Sequence, residues 1–226
     1  MENIPLISLS DLTFAYEGQA PLFDRLDFAF QPGTFYLIQG PSGAGKSTLL
    51  RLINRLEEPA KGKIFFKGKP LSDYPPPFLR RSILYIQQRP TVIDGSIKDN
   101  LLLPFQFKNN QDLEKPGDER LKELMGDFHL PELSLADNAQ ALSVGQQQRL
   151  CFIRGLLLSP EIFLLDEPAS ALDHESARMV DDTSLNLCCN LGLTIIMVSH
   201  KNMEIDMTRV RPDVLRLEKG RLIKDK

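Results

Sequence analysis

Apolar and polar positions alternate in short stretches through the first third of the chain, and the period of that alternation predicts strands. Residues 6–9, 12–16 and 26–30 carry it, punctuated by Gly18, Pro32 and Gly33. Residues 35–38 are apolar without interruption, as in a strand buried on both faces, and run straight into Gly40. The pattern then changes to a helical one over residues 46–56, where Leu49, Leu50, Leu52, Ile53 and Leu56 share a face. Residues 63–66 and 83–86 read as strands again, and the run Pro75-Pro76-Pro77 between them predicts a stiff surface turn without regular structure. Residues 96–103, 118–128 and 143–158 have helical spacing. After them come strands at 162–165, 194–199 and 214–217, a helix at 175–191, and a turn at Lys219-Gly220 into residues 221–223. Strands alternating with helices predict an α/β fold with a mainly parallel sheet core, an antiparallel β annex and a helical lobe. We read residues 1–226 as a single domain, with 1–88 and 159–226 forming a core lobe and 89–158 the helical lobe.

At 226 residues the chain can bury a core without disulfides or a structural metal. Lys and Arg total 27 against 30 Asp and Glu, a net charge of −3, which argues against a broad basic surface for nucleic acid. No apolar run approaches the roughly 20 residues of a membrane helix, and the N-terminus has no secretory pattern. Cys151, Cys188 and Cys189 lack CxxC spacing, so we read them as small apolar helix residues in a reducing compartment.

The chemistry is concentrated in three places. Gly40-Pro41-Ser42-Gly43-Ala44-Gly45-Lys46-Ser47 satisfies G-x-x-x-x-G-K-[ST] between a strand and a helix, with Thr48 next in line. Such a loop curls its backbone N–H groups around phosphate oxygens and adds the positive end of a helix. Lys46 would then reach the β- and γ-phosphates, and the Ser47 hydroxyl would hold Mg²⁺. The pattern predicts a P-loop NTPase. The second place is the apolar strand ending in Asp166-Glu167. Asp166 at its tip would orient the Mg²⁺ shell, and Glu167 would polarise the attacking water.

The third place is Leu142-Ser143-Val144-Gly145-Gln146-Gln147-Gln148-Arg149, which resembles the LSGGQ signature of ATP-binding cassette (ABC) ATPases. Val144 stands where the family usually has a glycine, while Ser143, Gly145 and Gln146 agree. Ser143 can cap a helix whose free N–H groups form a second anion site. The resemblance implies that this site binds the γ-phosphate held by the P-loop of a partner subunit. It further implies that Tyr16 stacks on adenine and that Gln88, rather than its neighbour Gln87, is the glutamine that senses Mg²⁺. By the same resemblance, Ser170-Ala171-Leu172-Asp173 crosses a dimer interface and His200 contacts the γ-phosphate. His129 and His174 carry no such motif and are read as solvated.

A chain of this kind is expected to be the ATP-hydrolysing subunit of an ABC transporter. It would bind ATP and Mg²⁺, pair as a homodimer, and drive a separate transmembrane permease from the cytoplasmic face of the membrane. No nucleic-acid partner is expected. The alternative is a soluble ABC ATPase acting on DNA or ribosomes, but such relatives usually carry two cassettes, a long coiled coil or a basic linker, which are not seen here. The segment 95–107 is similar to that of ATPase subunits of bacterial FetAB-type iron exporters, so metal export is the substrate expectation. Pro90, Val92, Ile93, Leu103, Phe105 and Phe107 are expected to expose an apolar surface to the permease.

Overall fold

The computed structural model describes residues 4–200 and 212–225. In chain order the elements are β1 (Ile7–Phe14), β2 (Phe23–Phe30), β3 (Phe35–Gln39), α1 (Lys46–Ile53), β4 (Lys61–Phe66), β5 (Lys69–Pro70), α2 (Pro76–Ser82) and β6 (Ile83–Ile86). Then follow α3 (Ile97–Leu102), α4 (Asp118–Asp127), α5 (Val144–Leu156), β7 (Ile162–Asp166), α6 (His174–Leu191), β8 (Thr194–Val198), β9 (Asp213–Glu218) and β10 (Arg221–Lys224). The central sheet has the order β10-β9-β3-β8-β7-β6, parallel except for the β10 edge, and β2-β1-β4-β5 form an antiparallel sheet beside it.

The central strands show why they are apolar at every position. In β3, β7 and β8, Tyr36, Ile38, Leu164, Ile196 and Val198 face a core shared with α1 and the antiparallel sheet. The alternate residues Phe35, Leu37, Phe163, Leu165, Ile195 and Met197 face a second core with α3, α4, α5 and α6. Period-two alternation thus buries both faces of one sheet. The carboxyl ends of β3, β7 and β8 coincide, with Asp166 opposite Val198 and Val198 opposite Ile38. In open α/β sheets this is the edge where ligands bind.

Three expectations are corrected. The two strands expected at residues 6–9 and 12–16 are one strand, β1, whose register shifts between Leu9 and Leu12 and again between Leu12 and Phe14. The irregular turn expected at Pro75-Pro76-Pro77 is the start of α2, with Pro75 as N-cap and Pro76 and Pro77 in the first turn. Proline is tolerated there because the first N–H groups of a helix have no partner to lose. The helix expected to run to Leu56 ends at Ile53 and leaves Leu56 exposed. Arg55, at φ 57, takes the left-handed conformation that turns the chain away. Among the described residues no helix is long and apolar enough to cross a membrane.

Candidate functional site

The loop after β3 is built by backbone geometry before side chains enter. Gly43 and Gly45 have φ of 79° and 95°, a region L side chains avoid. Gly40 packs so closely on β9 that a Cβ there would stand 2.4 Å from the Leu217 carbonyl oxygen. Lys46 follows at the start of α1, only 5% exposed, and its Nζ donates to the carbonyls of Gly40 (2.9 Å) and Pro41 (3.0 Å). Burial pushes its ammonium pKa down, and the nearby carboxylates of Glu167 and Asp166 push it back up. The lysine closes the loop on itself and leaves Pro41, Ser42 and Gly43 exposed.

Asp166 is 6% exposed and has both oxygens engaged. Ser47 Oγ donates to Oδ1 at 2.7 Å, and the Tyr85 hydroxyl donates to Oδ2 at 2.6 Å. Burial, then the bond to Asp166, pushes the Tyr85 pKa up to about 12. Glu167, one residue beyond the strand, takes φ 50. A non-glycine residue held there costs about 1–3 kcal/mol and marks a position the surroundings over-determine. Its N–H donates to Val198 O (3.1 Å), and its Oε1 lies 2.9 Å from His200 Nε2. Gln88 Nε2 donates to Ser170 Oγ (2.9 Å), which donates in turn to the Glu167 carbonyl (3.0 Å). Gln87 is held differently, its carbonyl accepting from Gln148 of α5 at 3.4 Å. Tyr16, 36% exposed, sets its hydroxyl 3.1 Å from Thr48 Oγ1, beside the loop.

The residues expected to work together therefore fall into two groups. Tyr16, Gly40 to Thr48, Gln88, Asp166, Glu167 and His200 converge on the carboxyl edge of the sheet. Ser143, Gly145, Gln146 and Asp173 form the second group. Ser143 Oγ caps α5 by accepting from the Gln146 N–H (3.3 Å), and Gln146 Oε1 accepts from the Ser143 N–H (2.9 Å). Gly145 faces α6 so closely that a Cβ would meet Ser176 at 3.0 Å. Asp173 caps α6 through the Ser176 N–H (2.9 Å), a bond that holds its carboxyl below the usual range. Val144, in the first turn of α5, is exposed. His129 and His174 are exposed, as expected.

Tyr85 was not foreseen as a site residue, because its role depends on the pairing of β6 with β7. Phe105 was expected at the surface and is 2% exposed, whereas Phe107, two residues on, is 57% exposed. The short helical turn at 103–106 directs the first ring inward. Cys151 and Cys188 are buried, in α5 and α6.

Residues 23–170, which hold the loop, the Ser143–Gln146 turn and Asp166, match the family described as ABC transporter. The chain belongs to the ABC transporter family of ATPases. It binds ATP and is an ATP hydrolase of the transport-coupled kind. The probable iron export ATP-binding protein FetA of Escherichia coli (strain K12) is 34% identical over 205 residues, 91% of this chain and 89% of that protein. Clostridium perfringens cbiO1, part of the ABC transporter complex cbiONQ, superposes with a TM-score of 0.80 at 25% identity, over 97% of this chain and 87% of that one. A bacterial Atm1-family ABC exporter with ATP bound shares the fold, with a TM-score of 0.79. Some relatives are far longer: this chain spans 16% of ABC multidrug transporter E of Aspergillus fumigatus.

Proposed function

We propose that this ABC ATPase works as a nucleotide-sandwich pair of identical subunits that drives transport through a separate membrane permease. The observation that carries the chemistry is the convergence of Ser47, Asp166, Glu167 and His200 at one edge, with Ser47 at 2.7 Å from Asp166 and His200 at 2.9 Å from Glu167. Tyr16 stacks on adenine, the N–H groups of Gly40 to Thr48 hold the phosphates, and Lys46 exchanges its two loop carbonyls for phosphate oxygens. Glu167 accepts the proton of the attacking water, and His200 steadies the γ-phosphate.

Mg²⁺ fits the donors present. Ser47 and Asp166 offer hard oxygen ligands side by side, Gln88 adds an amide oxygen, and among the described residues no cluster of three His, Cys, Asp or Glu exists. That is the pattern of an ion which takes one carboxylate and fills its remaining positions with phosphate and water. When bound, it neutralises charge on the phosphates.

Ser143, Gly145, Gln146 and Asp173 of a second copy complete the site, because the capped start of α5 presents free N–H groups to an anion. Residues 1–226 act as one domain, with residues 89–158 moving as a helical lobe. The permease docks around residues 88–107, where Phe107 is exposed, and on this reading the ATPase works from the cytoplasmic face of the membrane. Metal export, iron in particular, is the substrate reading, supported by the similarity to FetA along 91% of the chain.

The test is gel filtration of Glu167→Gln with ATP, with ADP and with neither. ATP alone should shift monomer to dimer while turnover falls by roughly 10²–10⁴-fold, the worth of a general base. Hydrolysis at the wild-type rate would remove Glu167 from the chemistry.

A further inference from the structure

Asp166 reaches the loop from β7, but the group that fixes its outer oxygen comes from a neighbouring strand. In the parallel pairing of β6 and β7, Tyr85 stands opposite Leu164. Side chains alternate along a strand, so Asp166, two residues after Leu164, lies on the same face as Tyr85. That diagonal is about 7–8 Å between backbones, a span an aromatic side chain bridges. Tyr85 does bridge it, and its ring packs against the core beneath while the hydroxyl donates to Asp166 Oδ2 at 2.6 Å. The distance lies in the range of hydrogen bonds to an ionised acceptor.

We infer that Tyr85 is a positioning residue for the metal-binding carboxylate. The inference rests on the reading of Ser47 and Asp166 as the Mg²⁺ ligands and adds one residue behind them. With Ser47 Oγ on Oδ1 and Tyr85 on Oδ2, the carboxylate is held at two points and its plane is fixed. With only Ser47 it could rotate about its own side-chain bond, and Oδ2 would be left without its donor on a residue only 6% exposed. Groups that orient a metal ligand in this way typically matter by about 10–100-fold in metal affinity or activity.

Calorimetric titration with ATP in EDTA and with ATP in excess Mg²⁺ separates the possibilities, using wild type and Tyr85→Phe. Tyr85→Phe keeps the ring and its packing. It should bind ATP in EDTA as wild type does, but lose about tenfold or more of the affinity gained with Mg²⁺. An unchanged Mg²⁺ gain in Tyr85→Phe overturns the inference. An equal loss in EDTA and in Mg²⁺ overturns it as well, since that is what damaged packing produces. If wild type itself shows no Mg²⁺ gain, the assignment of Ser47 and Asp166 fails instead.

Discussion

The first residue of the phosphate loop offers a sharp test of how the loop is made. Gly40 and Gly43 both have positive φ, 155° and 79°, which L side chains rarely adopt, so alanine is strained at either position. Packing separates them. A Cβ on Gly43 meets nothing within 4 Å, whereas on Gly40 it would lie 2.4 Å from the backbone oxygen of Leu217 and 3.3 Å from its carbonyl carbon. Leu217 belongs to β9, which pairs with β3, so neither side can yield without disturbing the ladder that carries the loop. For Gly43→Ala the left-handed penalty of about 1–2 kcal/mol is partly offset by about 0.4–1 kcal/mol from a stiffer unfolded chain. Gly40→Ala adds an overpacking cost of about 1–3 kcal/mol. In a chain of this length 1 kcal/mol moves the melting temperature by roughly 2–4 °C. Scanning calorimetry of the nucleotide-free proteins should therefore find Gly43→Ala within about 6 °C of wild type and Gly40→Ala lower than Gly43→Ala by roughly 2–12 °C. Mg-ATP should also raise the melting temperature of Gly40→Ala less than that of wild type, because the strand end that presents the loop has moved. Equal losses for the two variants would refute the claim that contact with β9 determines the first position.

Three further outcomes are expected. Lys46→Ala removes an ammonium that now bridges two loop carbonyls, and each hydrogen bond to a charged group is worth about 1.5–3 kcal/mol; Mg-ATP affinity by calorimetry should fall by at least about tenfold, and an unchanged value would rule out the phosphate role. Phe107→Asp should abolish co-purification with the permease and spare ATP binding, whereas Phe105→Asp buries a charge and should unfold the chain; circular dichroism and pull-down distinguish the two. Burial raises the Cys188 thiol from 9.0 to about 11, so the folded state favours the neutral form. Its contribution to stability is complete below pH 9 and is lost as pH rises through about 11. Cys188→Ala should flatten the fall in melting temperature over that window, and an identical slope would count against a buried thiol.

What could be read in the sequence, and what could not, follows from the range of each interaction. The phosphate loop was legible because its geometry is set within eight residues: glycines supply the backbone angles, and Lys46 folds back on carbonyls five and six residues away. The caps of α5 and α6 are equally local, with Ser143 bonding three residues on and Asp173 likewise. The turn at Pro75-Pro76-Pro77 was misjudged because proline forbids a helix interior but suits its first turn, and only the residues that follow decide which applies. Phe105 and Phe107 could not be told apart because a short 3₁₀ turn has no period long enough to show which ring points inward. Tyr85 lay furthest out of reach. Nothing adjacent to it marks a site: it reads as one more aromatic in a buried strand, and its meaning depends on the parallel register that places it opposite Leu164. A slip of one residue would turn the same tyrosine to the other face of the sheet and leave Asp166 Oδ2 without its donor. The ligands of a site can thus be local to their motifs, while the groups that orient them depend on strand pairing, which only the folded sheet defines.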